Sequence, residues 1–149
     1  MTATRPATEL SELLCFDLYS ATRAMTALYR PLLTPLGLTY PQYLVLVVLW
    51  KVRSTPVKAL TEALRLDYGT LSPLLQRLER DGLITRERRG ADERSVTVGL
   101  TTAGAALQFR ARGIPDAICA ALELDGPQIR DLQTALRQIT AKALAEQHQ

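Results

Sequence analysis

Residues 55–100, TPVKALTEALRLDYGTLSPLLQRLERDGLITRERRGADERSVTVGL, decide the fold. Thr55-Pro56 reads as a cap followed by a proline at the first helical position, so a short helix is expected over Val57–Leu64. Leu66-Asp67-Tyr68-Gly69 makes a turn, and Thr70–Asp81 forms the next helix, with Leu71, Leu74, Leu75 and Leu78 facing inward. Ser72, Gln76, Arg77 and Arg80 fall on its outward face, and Gly82 closes it. Two helices joined this tightly have helix–turn–helix spacing. Leu83–Arg88 and Ser95–Leu100 then alternate as strands around a polar tip, Gly90-Ala91-Asp92-Glu93. A β-hairpin directly after a helix–turn–helix is a wing, and the combination is more specific than either half. The expected class is mainly α with a small β-wing, a winged helix-turn-helix.

On the N-terminal side, a helix is expected from Pro41 to about Lys51, with Thr39 or Tyr40 as its cap. Apolar on nearly every side, it reads as a core helix. Further back, Leu10, Leu14, Ala21, Met25, Leu28 and Leu32, with Leu18 between, recur at steps of four and three along one long helix. Pro31 and Pro35 disturb this seam, and Gly37 loosens the chain after it. On the C-terminal side, Thr101 caps a helix through about Leu122 with a bend near Gly113 and Pro115, and Asp125 opens a last helix carrying Ile129, Leu132, Leu136, Ile139 and Ala143. Seams at both ends exceed what one small winged helix can cover, so terminal helices pairing with a second subunit are expected. The competing reading packs both seams within one chain. The organisation is thus a single domain over 1–149, with 9–36 and 102–147 as helical dimerisation regions and 55–100 as the reader.

Composition is that of an ordinary folded protein: 47% hydrophobic and 22% charged over 149 residues. The start of the chain has no basic-then-apolar signal pattern, and Tyr43–Trp50 falls well short of the roughly 20 apolar residues a membrane span requires. A cytoplasmic protein with no membrane partner is expected. The net charge of +3 lies wholly between Lys51 and Arg94, where ten Lys/Arg face seven Asp/Glu. A phosphate backbone could use that charge, and a solvated mixed-charge surface would carry it equally well. With one histidine, His148, and two cysteines far apart, a metal site and histidine acid–base chemistry are poorly supplied. Phosphate-loop, dinucleotide and nucleophile-elbow motifs do not occur, so no cofactor and no enzyme activity are expected.

Cys15 could be a small core hydrophobe beside the Leu14 seam. Its own stripe argues otherwise: Cys15, Tyr19, Thr22, Thr26 and Tyr29 fall within about 40° of one line on a helix. Hydroxyl donors beside a thiol stabilise the thiolate, the form that attacks peroxide. Phe16, Tyr43 and Trp50 read equally as a pocket for an organic oxidant or as core, and are kept outside the site. On the reader, Arg94 is expected in a minor groove with Asp92 aiming its guanidinium, against the plainer reading of an exposed wing ion pair. Arg77 suits a guanine edge, Gln76 an adenine edge, Ser72 shares their face, and Thr70 at the helix start suits a phosphate. Which of these contacts reach bases and which reach phosphates stays open.

Leu14-Cys15-Phe16, Tyr29-Arg30-Pro31-Leu32-Leu33, the block from Leu36 to Tyr43, Leu66-Asp67-Tyr68-Gly69-Thr70-Leu71-Ser72-Pro73-Leu74-Leu75 and Ala91-Asp92-Glu93-Arg94 resemble the organic hydroperoxide resistance repressors, the OhrR branch of the MarR family. The Asp-x-Arg tip is common to MarR proteins, whereas the Gly37–Tyr43 block with the N-terminal cysteine is narrower. The resemblance covers nearly the whole chain and is weakest after Gly113. It implies a homodimer on a palindromic double-stranded DNA operator, repressing a peroxidase gene until Cys15 is oxidised by an organic hydroperoxide. It also implies that Tyr29 and Tyr40 hydrogen-bond Cys15. Some members resolve the oxidised cysteine with a C-terminal cysteine of the other subunit, and others use small thiols; Cys119 lies where a resolving cysteine is expected. Tyr68 departs from the small residue, usually serine, at the start of the reading helix in many relatives.

Tyr29 lies fourteen residues from Cys15, about 21 Å along one helix, so it could serve Cys15 only from an antiparallel partner unless the helix breaks. Three rivals fit parts of the same sequence: a MarR regulator released by a phenolic or lipophilic ligand, a thiol peroxidase enzyme, and an architectural DNA binder with no switch.

Overall fold

The computed structural model describes residues 9–88 and 95–148. The expected wing tip, with Asp92 and Arg94, lies outside the described residues. By their internal contacts the residues form two compact units, Met1–Arg112 and Gly113–Gln149.

The first unit is built on the helix α2, Tyr40–Val52. Thr39 caps it reciprocally with Gln42: the Thr39 amide donates to Gln42 Oε1 at 3.0 Å and the Gln42 amide to Thr39 Oγ1 at 3.4 Å. That exchange accounts for Gln42, a polar side chain buried among Tyr43, Val45, Leu46, Leu49 and Trp50. Before it runs α1, Leu14–Leu33, followed by a 3-10 turn over Thr34–Leu36. The N-terminal seam therefore needs correcting: Leu13 is extended (φ −89°, ψ 112°) and separates Leu10, in its own 3-10 turn, from the helix. Pro31 lies inside α1 without ending it, and costs the helix only the one hydrogen bond its N–H would have given to the Ala27 carbonyl.

At Arg53 the backbone turns through φ 68° and enters β1, Ser54–Pro56. This corrects the expected Thr55 cap. Thr55 pairs with Val98, and Pro56, extended at φ −61° and ψ 146°, is itself the N-cap of α3, Val57–Leu64. Proline is tolerated there because β1 is an edge strand. The reading helix α4 spans Tyr68–Arg80, two residues longer at its start than expected, because Asp67 caps it by accepting from the Thr70 amide at 2.7 Å. Gly82 (φ +74°) follows in the left-handed region.

β2, Ile84–Arg88, and β3, Val96–Leu100, pair antiparallel from Ile84↔Leu100 to Arg88↔Val96, and β3 lies central between β1 and β2. Leu60 of α3, Leu71, Leu75 and Leu78 of α4, Ile84 of β2 and Val98 of β3 are all buried. Removing any of these leucines to alanine should cost about 2–5 kcal/mol. Thr101 opens α5, Thr102–Ala111, accepting from the Gly104 amide and donating to the Gly82 carbonyl. The Trp50 indole N–H donates to the Gly104 carbonyl at 2.9 Å, fixing α5 on α2.

In the second unit, α6 spans Ile114–Leu122 and α7 Gly126–Glu146. The expected bend near Gly113 is a full break between helices, and Asp125 caps α7 reciprocally with Gln128, as its sequence suggested. Among the described residues no single helix is long and apolar enough to cross a membrane.

Candidate functional site

Two regions of the structure gather the residues singled out by the sequence. The first is the outer surface of α4. Leu71, Leu75 and Leu78 turn inward and are buried, which leaves Gln76, Arg77 and Arg80 exposed and Ser72 half-buried. Thr70 is committed locally. Its hydroxyl first, and its amide second, hold the Asp67 carboxyl below the usual range. A carboxylate already seated on the first turn competes with any phosphate there. Beside α4, Arg86 of β2 places Nη2 at 3.0 Å and Nε at 3.3 Å from Glu79 Oε1. This pair joins helix to wing, and the sequence reading did not include it: seven residues separate the partners across a helix–strand junction, a spacing with no periodic signature.

The second region is α1 with the start of α2. Cys15 is exposed in the first turn of α1. Around it Leu10, Leu13, Leu14, Phe16 and Tyr19 are exposed as well, an apolar face uncovered in the single chain. The Tyr19 ring lies under the Arg23 guanidinium at 5.6 Å. Thr22 and Thr26 donate to carbonyls one turn back, Leu18 and Thr22, so their protons are spent on the helix itself. That narrows the row of hydroxyl donors expected beside Cys15 to its tyrosines.

Tyr29 and Tyr40 meet, ring centroids 4.7 Å apart, and Tyr43 joins them at 5.8 Å from Tyr29. Burial, and secondarily Tyr40, push the Tyr43 phenol above its usual 10.0. Tyr43 and Trp50 are core, their rings in an edge contact at 6.0 Å. Because α1 is unbroken, Tyr29 stands about 21 Å from Cys15 of its own chain. The structure thus brings Tyr29 to Tyr40 and neither to Cys15. Cys119 is exposed on α6 of the second unit. Among the described residues no group of His, Cys, Asp and Glu could hold a metal ion.

A family model described as the transcriptional regulator SarA/Rot matches residues 27–108. The organic hydroperoxide resistance transcriptional regulator of Bacillus subtilis (strain 168) is 47% identical over 86% of this chain and 87% of its own length. The chain belongs to the MarR family, in its organic hydroperoxide resistance branch. MarR proteins of this kind are transcriptional regulators, which sets aside the thiol peroxidase reading. Among solved MarR-type structures, reduced AbfR bound to DNA is 31% identical, with 91% of this chain and 94% of that one covered at a TM-score of 0.76. AbfR of Staphylococcus epidermidis in its disulfide form is 32% identical, with 92% of each chain covered at a TM-score of 0.60.

Proposed function

We propose that this protein is a peroxide-responsive transcriptional repressor, acting in the cytoplasm as a homodimer on a palindromic double-stranded DNA operator. The observation that carries the reading is the exposed Cys15 thiol on a chain 47% identical to an organic hydroperoxide resistance regulator. In the chemistry, the Cys15 thiolate attacks the terminal oxygen of an organic hydroperoxide. The O–O bond breaks, the alkoxide leaves and takes a proton, and Cys15 becomes a sulfenic acid. The apolar face of Leu10, Leu13, Leu14 and Phe16 around the thiol favours an organic oxidant over hydrogen peroxide.

The dimer completes the site. Tyr29 and Tyr40 of one chain reach Cys15 only if a second chain runs antiparallel along α1, which also covers the exposed apolar face. Gln76, Arg77 and Ser72 then read the major groove, and Arg94 with Asp92 reads the minor groove. The deciding experiment is operator binding before and after organic hydroperoxide in wild type and Cys15→Ser. Wild type should release the operator on treatment and Cys15→Ser should hold it; equal release by both would sink the reading.

A second reading, release by a phenolic or lipophilic ligand, is favoured by one observation. A cavity of about 320 Å³ between α1 and the start of α2 is lined by Thr26, Arg30, Leu33, Leu38 and Tyr40. Under that reading a ligand would release DNA from wild type and Cys15→Ser alike.

A further inference from the structure

The groove between α4 and the strands of the wing, about 260 Å³, is lined by Tyr68, Glu79, Arg86 and Arg88, with Leu75 and Val96 among its apolar lining. We infer that this groove seats a phosphate of the operator backbone, anchored by Arg86, flanked by Arg88 and the Tyr68 hydroxyl, with Glu79 orienting the anchor. The inference rests on the DNA-binding reading above. The sugar-phosphate strand of a duplex separates its major from its minor groove. A protein with one helix in the major groove and a wing in the minor groove must straddle that strand, so the surface between helix and wing meets phosphates.

The side chains there fit a phosphodiester. Arg86 spends Nε–H and one Nη2–H on a single oxygen of Glu79, leaving three of its five N–H donors for another acceptor. The two side chains are 26% and 40% exposed, so the pair contributes little to stability. What it does is hold a long, flexible guanidinium still and aim its unused edge. Tyr68, the first residue of α4, is 60% exposed and lines the same groove with a neutral donor. In this placement Tyr68 extends the backbone contact rather than reading a base.

Operator and non-operator duplexes are titrated over a range of salt concentrations with wild type, Arg86→Met, Arg86→Lys, Tyr68→Phe and Glu79→Gln. Arg86→Met should weaken both duplexes in the same proportion and lower the slope of log K against log salt by about 0.9. Arg86→Lys should weaken binding but keep the slope, which separates loss of the anchor from loss of the fold. Tyr68→Phe should weaken both duplexes with the slope unchanged, and Glu79→Gln should not lower the slope. Wild-type binding with an unchanged slope in Arg86→Met would overturn this inference alone and leave the Glu79–Arg86 pair a mere strut. Wild-type protein that bound neither duplex would overturn the function reading and this inference with it.

Discussion

Tyr29 is where chemistry and geometry constrain each other most tightly. Its ring is held against Tyr40 and Tyr43, so its hydroxyl is set by packing rather than by a floppy rotamer. Tyr29→Phe keeps that packing and removes one donor. A hydrogen bond to a charged group is worth roughly 1.5–3 kcal/mol, so Cys15 oxidation should slow by about tenfold or more while operator affinity stays near wild type. Stopped-flow consumption of an organic hydroperoxide reads the rate, and an unchanged rate would remove Tyr29 from the sensor. Cys15, Tyr29 and Tyr40 were singled out because a thiol in a stripe of hydroxyls is chemically odd and the resemblance named its partners; within one chain the structure brings Tyr29 to Tyr40 and neither to Cys15. Arg86 and Glu79 were not, since a pairing across a helix–strand junction leaves no pattern in residue spacing.

At the scale of elements, the ends of α4 and α5 carry the reader. Asp67→Ala removes the α4 cap and should lower the thermal midpoint at neutral pH. The folded Asp67 carboxyl is held below 3.8, its usual value. Its stabilisation is therefore fully present above pH 3.8 and is lost as pH falls through the lower folded value. The midpoints of wild type and Asp67→Ala should converge only in that acid range; a gap independent of pH would contradict the charged cap. Gly104 makes a different demand. A Cβ there would meet the Leu83 carbonyl and the Leu100 side chain, at the point where α5 lies on the wing base. Gly104→Ala should cost about 1–3 kcal/mol, read as a lower denaturation midpoint with unchanged slope. Wild-type stability would mean that α5 shifts freely. The helices and the hairpin could be read in advance because leucine spacing and caps such as Thr101 and Asp125 are local signals. β1 could not: Ser54-Thr55-Pro56 has helix-start composition, and only the distant Val98 makes it a strand.

For the whole molecule, the unpartnered apolar faces decide the argument. Leu132, Leu136, Ile139 and Leu144 of α7 are exposed in the single chain, as are Leu10, Leu13 and Leu14 at the other end. Surfaces of this kind suit an interface, and the second copy proposed above would offer a matching pair. Cys15 lies at the start of α1 beside one of these faces, and Cys119 on α6, the helix before α7; both are exposed. In the cytoplasmic homodimer proposed above, where structural disulfides are rare, two exposed thiols would suit a transient bond. The expected sequence is sulfenic acid at Cys15, attack by the partner's Cys119 thiolate on that sulfur, and departure of water as the disulfide forms. A disulfide needs Cα atoms within about 7 Å, so capture pulls terminal helices together and moves the attached readers off register. After hydroperoxide treatment, non-reducing electrophoresis should show a covalent dimer in wild type and none in Cys15→Ser or Cys119→Ser. A wild-type band that stays monomeric while DNA is still released would reject Cys119 as the resolver, and would assign Cys15 to a mixed disulfide with a small thiol.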